Sequence, residues 1–292
     1  MRSVLKSHST AAHRRRRRAV SAAMVALTYG AAALATLPLI FILVHIARAA
    51  VGSLNLALFV SMPAPVGNAG GGMANAIVGT LILICIAAVI GVPVGIGAGL
   101  YLAEHRRRPL ANSVRFLSDV LNGLPSIVLG IFAWQLLVRP AGHFSAVAGG
   151  IALAVMVMPL VTRTTEEMIL LVPNALREAA LALGYQRWRT SLAVVLRTAM
   201  PGIVTGALVA IARIAGETAP LLFTAFGNQF WSTSLNRPIA ALPLQIFNYA
   251  VSPYDDWHSL AWAGALVLIG IVFVISLAAR FATRSRFGAA VD

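Results

Sequence analysis

Six apolar runs, at residues 20–45, 74–102, 117–138, 144–162, 201–225 and 259–279, are each long enough to cross a bilayer. A hydrocarbon layer about 30 Å thick needs ~20 such residues in a helix. No water reaches the backbone there, so each segment must satisfy its own N–H and C=O groups, as a helix does. The fourth run is the shortest. The expected fold class is an all-α integral membrane protein with six transmembrane helices.

Charge agrees with this reading. Apolar residues make up 59% of the 292 and charged residues only 11%, where a soluble domain carries roughly 25%. The net charge of +14 is almost entirely arginine, held in clusters between the apolar runs. One side collects Arg2, Lys6, Arg14 to Arg18, Arg106 to Arg108, Arg115, Arg163, Arg177, Arg187, Arg189, Arg197, Arg280, Arg284 and Arg286. The other has Arg48, Arg139 and Arg237, and Arg213 lies within a run. Basic residues accumulate on the cytoplasmic side, so both termini are expected there. This predicts a basic cytoplasmic tail at 1–19, a first span at 20–45 and an extracytoplasmic loop at 46–73. A transmembrane domain at 74–280 follows, with a cytoplasmic loop at 163–200 and an extracytoplasmic loop at 226–258, and then a cytoplasmic tail at 281–292. Arg14 to Arg18 ahead of an apolar run has the form of a secretory signal. With a run of this length and five more to follow, a retained first helix is the expected outcome. The single cysteine, Cys85, lies inside an apolar run, and no role is assigned to it.

Gly91, Gly95 and Gly99 recur every four residues on one helix face, the spacing that lets helices approach closely in lipid. No strand precedes them and no lysine follows, so they do not form a phosphate-binding loop. Pro93 and Pro125 are expected at kinks or helix starts. No HExxH or GxSxG sequence suggests an intramembrane enzyme, and six runs without visible inner symmetry give little support to an ion-driven transporter.

The segment 163–200 is too polar to span and too regular for a linker. Pro173 suits the first turn of a helix. Leu176, Ala179, Ala180 and Leu183 then recur at helical spacing, and Gly184 is placed to stop the helix in a left-handed conformation. A second amphipathic helix is expected from about Gln186 to Thr198, with Leu192, Val195 and Leu196 on its apolar side. Within the fifth run, Arg213 and Glu217 are four residues apart, on one face if the helix continues. A charge at the centre of a span costs roughly 2.5–3.5 kcal/mol, so it faces protein or water. Either the two neutralise each other as a structural pair, or Arg213 lines a route for an anion, whose oxygens its planar fork fits. Glu166 and Glu167 are expected on a solvated face or in salt bridges within the loop. The aromatic residues Phe230, Trp231, Phe247, Tyr249, Tyr254 and Trp257 suit an interfacial belt or a docking surface.

These residues also carry a resemblance. Glu178-Ala179-Ala180, three residues, then Gly184 resembles the EAA loop of ABC importer permeases, which docks into a cleft on a cytoplasmic ATPase. That pattern ends in Leu-Pro, where this chain has Leu196-Arg197 and a proline only at Pro201. Leu121-Asn122-Gly123-Leu124-Pro125-Ser126-Ile127-Val128, Pro201-Gly202-Ile203-Val204-Thr205-Gly206, Ala212-Arg213-Ile214-Ala215-Gly216-Glu217-Thr218-Ala219-Pro220-Leu221-Leu222 and Asn228-Gln229-Phe230-Trp231-Ser232-Thr233 are similar to the PstA-type permeases of bacterial phosphate importers. The resemblance implies a type I ABC importer permease fold in the bacterial inner membrane, translocating inorganic phosphate. It implies ATPase coupling through Glu178, Ala179, Ala180 and Gly184, and a substrate pathway touched by Arg213, Glu217 and Arg163, the last as an exit-side contact. A permease for sulfate, molybdate or phosphonate is the alternative. The implied partners are a PstC-type second permease, a PstB-type ATPase dimer and a PstS-type phosphate-binding protein. No Walker A sequence is present and the one lysine is Lys6, so no ATP hydrolysis, metal or cofactor is expected of this chain itself.

Overall fold

The computed structural model describes residues 2–65 and 71–287, and it falls into two compact units, Met1–Ala49 and Ala50–Asp292. The first is formed by one long helix, α1 (Arg2–Ala50), in which Arg14 to Arg18 are helical rather than a separate tail. From Val20 onward it exposes Met24, Leu27, Leu34 and Phe41. Apolar surface on this scale needs lipid or a partner to cover it.

In the second unit a 3₁₀ turn at Val51–Ser53 precedes α2 (Leu56–Val60), which Asn55 caps by accepting from the Leu58 N–H at 2.9 Å. There follow α3 (Ala74–Glu104), α4 (Pro109–Gly123), α5 (Ser126–Ala141), α6 (Ala146–Leu170) and α7 (Asn174–Ala182). The last four are α8 (Arg187–Ala215), α9 (Ala219–Thr224), α10 (Leu242–Ala250) and α11 (Asp255–Phe287). Among the described residues there are no strands, only an isolated bridge between Phe226 and Ile239.

The core sits around α6, with α3 and α8 packed on it. The glycine face of α3 makes this possible. A Cβ at Gly95 would lie 2.7 Å from Val161 Cβ, and one at Gly99 would lie 2.5 Å from both Thr162 O and Thr165 Cβ. Gly97, off that face, has nothing within 4 Å. Gly99→Leu is therefore expected to abolish recovery of folded subunit, while Gly97→Leu leaves it near the native amount. Size-exclusion chromatography of detergent-extracted protein measures the difference. Leu83, Leu153, Val157, Val161, Ile214 and Leu221 fill the middle of this core.

Five helices among the described residues are long and apolar enough to cross a membrane, in α1, α3, α6, α8 and α11. The third expected span, 117–138, is not one straight helix. It divides between α4 and α5, which are bent by 107° at Leu124-Pro125, and it makes a sixth crossing only if the bent pair counts as one. Proline disfavours helical backbone in the residue before it, so Leu124 is extended and α5 starts afresh after Pro125.

The fourth helix is longer than its apolar run. α6 continues to Leu170, because Thr165 and Glu166, beyond that run, are buried against neighbouring helices rather than solvated. The separate helix expected at 186–198 does not end before Pro201 either. α8 is continuous from Arg187, with a π turn at Thr190–Leu196 just ahead of the segment that contains Pro201. The widened turn lies next to the point where proline removes a backbone donor.

Candidate functional site

Two places bring the chemistry-bearing residues together. The first is where two interrupted helices meet. α8 ends at Ala215, Gly216 to Thr218 are irregular, and the short α9 follows. α9 packs on α5, the helix that restarts after the Leu124-Pro125 break. The approach is close: a Cβ on Gly130 would lie 2.7 Å from Pro220 Cα. Irregular backbone at membrane depth is tolerated only where protein covers it or where it lines a watery cavity.

Arg213 stands in the last turn of α8 and is exposed, whereas Glu217 lies in the irregular segment and is half-buried. The two are not one helical turn apart, because the helix stops two residues after Arg213. The Glu217 N–H instead closes a tight turn onto Ile214 O at 3.1 Å. No ion pair joins them; the ion pairs of the described residues lie elsewhere. Arg213 thus presents a guanidinium to whatever covers this face. Asp119 on α4 is exposed as well and lies within the expected third span, a charge the sequence reading passed over.

The second place is the end of the bundle that carries the loop after α6. Arg163 donates from Nε to Glu167 Oε1 at 3.0 Å and is about half exposed. Glu166, one residue along, is only 5% exposed. Its Oε1 accepts from Arg115 on α4, at 2.8 Å from Nε and 2.7 Å from Nη2. Arg115 also donates to Leu102 O at the end of α3, to Arg106 O and to Asn112 Oδ1. The guanidinium therefore has acceptors for its five N–H groups and clamps α3, α4 and α6 together. Glu166 Oε2 has no hydrogen-bond partner and lies 4.0 Å from Arg163 Nη1.

Beyond this clamp, Pro173 precedes α7 at its N-cap, one position before the first turn. The helix ends with Gly184 at φ +84. Gly184 N–H bonds Leu181 O at 3.0 Å and Tyr185 N–H bonds Ala180 O at 3.1 Å, the paired closure that a left-handed residue permits. Of the face expected to be apolar, only Ala180 is buried. Leu176, Ala179 and Leu183 are exposed, Leu183 at 80%, and Glu178 is exposed beside them. An amphipathic helix that leaves its apolar side open is shaped for a groove on another protein. Gly184→Val puts a β-branched residue at a left-handed position and is expected to cost this turn about 1–2 kcal/mol or more. Far-ultraviolet circular dichroism will not register so local a change, but proteolysis at 183–187 is expected to accelerate several-fold.

At the opposite end of the core, a cleft of about 600 Å³ is lined by Met62, Pro63, Gln229, Phe230, Tyr249 and Trp257, among others. Tyr249 is buried, with its ring centroid 4.8 Å from that of Trp257 and the two rings tilted by 35°. Burial pushes its phenol above the ordinary value, with a hydrogen bond to Gln245 pulling the other way. Phe230, Trp231, Phe247 and Tyr254 remain exposed. The described residues hold no cluster of His, Cys, Asp and Glu able to bind a metal, and Cys85 is a free, exposed thiol.

Sequence reasoning missed both Arg115–Glu166 and a second ion pair, Arg177–Glu104, because the partners are 51 and 73 residues apart. The helix breaks did leave a signal, in Gly123-Leu124-Pro125 and in Gly216 shortly before Pro220.

A family of proteins described as the binding-protein-dependent transport system inner membrane component matches residues 91–287. The phosphate transport system permease protein PstA of Yersinia pestis is 52% identical over 243 residues, covering 83% of this chain and 82% of its own. A probable phosphate transport system permease protein PstA of Methanocaldococcus jannaschii is 39% identical over 215 residues, covering 73% and 76%. Among solved structures, an inward-facing conformation of the MetNI methionine ABC transporter superposes with a TM-score of 0.58 at 19% identity. It spans 73% of this chain and 96% of its own, and the likeness bears on the fold.

Proposed function

This chain belongs to the family of binding-protein-dependent transport system inner membrane components, and from that premise we propose that it is the PstA-type permease of an ATP-driven importer of inorganic phosphate. Relatives from bacteria and an archaeon that carry the phosphate-permease name over most of their length support the substrate. The chain is a multi-pass inner-membrane transport subunit and not an enzyme; hydrolysis of ATP falls to a separate ATPase.

The observation that carries the mechanism is α7. Its exposed apolar side and Glu178 form the surface that docks in the ATPase cleft, and Gly184 fixes the angle at which the chain turns into α8. Closure of a PstB-type ATPase dimer displaces α7, and with it α6 and α8, to which it is joined in sequence. A PstC-type permease covers the face that carries Arg213, and a PstS-type binding protein delivers phosphate at the aromatic end, near Trp231 and Trp257. The anion then passes the interrupted helices, where Arg213 engages its oxygens through charge-assisted hydrogen bonds. Arg163 is the contact at the cytoplasmic exit, held in place by Glu167. Glu217 lies next to the path and keeps the field weak enough for the anion to leave. Both termini are placed in the cytoplasm by the arginine distribution.

Complementation tests this reading. A bacterial strain whose phosphate importer lacks its own PstA-type subunit is expected to recover growth at micromolar phosphate when this chain is supplied with its partners. Recovery of growth on limiting sulfate or molybdate in the corresponding strains, without recovery on phosphate, would overturn the substrate.

A further inference from the structure

α7 is tied to the helix core at a point that neither its docking surface nor the substrate path explains. Arg177 lies between Leu176 and Glu178, which face outward, and turns inward instead. Its Nη1 donates to Glu104 Oε1 at 2.6 Å and its Nη2 to Ile169 O at 3.4 Å. Glu104 is the last residue of α3, 73 positions away. Both side chains are three-quarters covered, with 23% and 26% exposed, so bulk water screens the pair only in part.

The covalent links of α7 run to α6 and α8, and its body rests on the π-turn part of α8. Without Arg177, a displaced α7 would act on α3 only through the helices between. With it, α7 holds the end of a 31-residue helix whose glycine face is locked on α6. We infer that Arg177 and Glu104 are positioning residues through which α7 passes its displacement to α3. The inference rests on the proposed role of α7 as the ATPase-docking helix, and it assigns a transmitter that is separate from that docking surface.

The test uses the complete importer, with both permeases and the ATPase, reconstituted in proteoliposomes with the binding protein inside the assay. ATP hydrolysed per phosphate taken up is measured for Arg177→Met, Glu104→Gln and the exchange Arg177→Glu with Glu104→Arg. Each single variant is expected to retain the ATPase on purification and to raise the ratio about tenfold, within the usual range of coupling between sites. The exchange is expected to return the ratio to within about twofold of native, because the two positions act as one unit. Native ratios in both single variants would overturn the inference. So would an exchange no better than either single variant, or loss of the ATPase from the single variants, which would make Arg177 part of the docking surface. A native complex that drives no phosphate uptake with ATP would instead overturn the functional reading, and this inference with it.

Discussion

Replacing Arg213 with methionine is expected to reduce phosphate uptake about 10- to 100-fold, the loss of one or two hydrogen bonds to a charged ligand, while the complex still assembles. Methionine keeps an unbranched, flexible apolar stem and removes the charged fork. Because Arg213 is exposed on this chain and joins no ion pair among the described residues, its loss strands no carboxylate there. The helix also gains rather than loses compatibility with its surroundings, since the cost of a charge at membrane depth disappears. Arg213→Lys keeps the charge but not the planar pair of donors and is expected to fall between methionine and native. Uptake by Arg213→Met at the native rate would remove Arg213 from the path.

The opposite outcome is expected at Glu166, where assembly rather than transport is at stake. Glu166→Ala leaves Arg115 without its carboxylate between three helices, and breaking a buried pair from one side costs about 3 kcal/mol or more. In the purified complex this corresponds to a fall in Tm of about 6–12 °C. Glu167→Ala removes a pair whose partners are about half exposed, and such pairs contribute under about 1 kcal/mol. The two neighbouring glutamates therefore make a controlled comparison. Equal melting temperatures for the two variants would mean that the Arg115 clamp does not hold the helices together.

What the sequence makes legible follows from the range of each interaction. Apolar length locates the helices because the bilayer sets it directly, and the four-residue glycine spacing in α3 announces a packing face because the period belongs to a single helix. Gly184 is readable for the same reason: its left-handed φ of +84 answers a local need at the end of α7. The resemblance of Gly216-Glu217-Thr218-Ala219-Pro220 to phosphate permeases points to the correct family. It does not tell that Glu217 stands off the helix.

The extent of α6 escapes the apolar pattern. Thr165 and Glu166 look like loop residues by composition, but neighbours on α3 and α4 make them interior. Arg115 and Arg177 read as topology arginines in a linear chain. Only folding brings each to a glutamate more than fifty residues away. The bend between α4 and α5 lies between these extremes. Pro125 announces it, but the 107° angle depends on how α5 packs on α9.

Uptake of labelled phosphate, with sulfate and molybdate in parallel, into vesicles holding the assembled importer decides which anion this subunit carries. ATP-dependent accumulation of phosphate is expected, undiminished by an excess of sulfate or molybdate, with none of either competitor. ATP-dependent accumulation of sulfate or molybdate in place of phosphate would contradict the phosphate assignment.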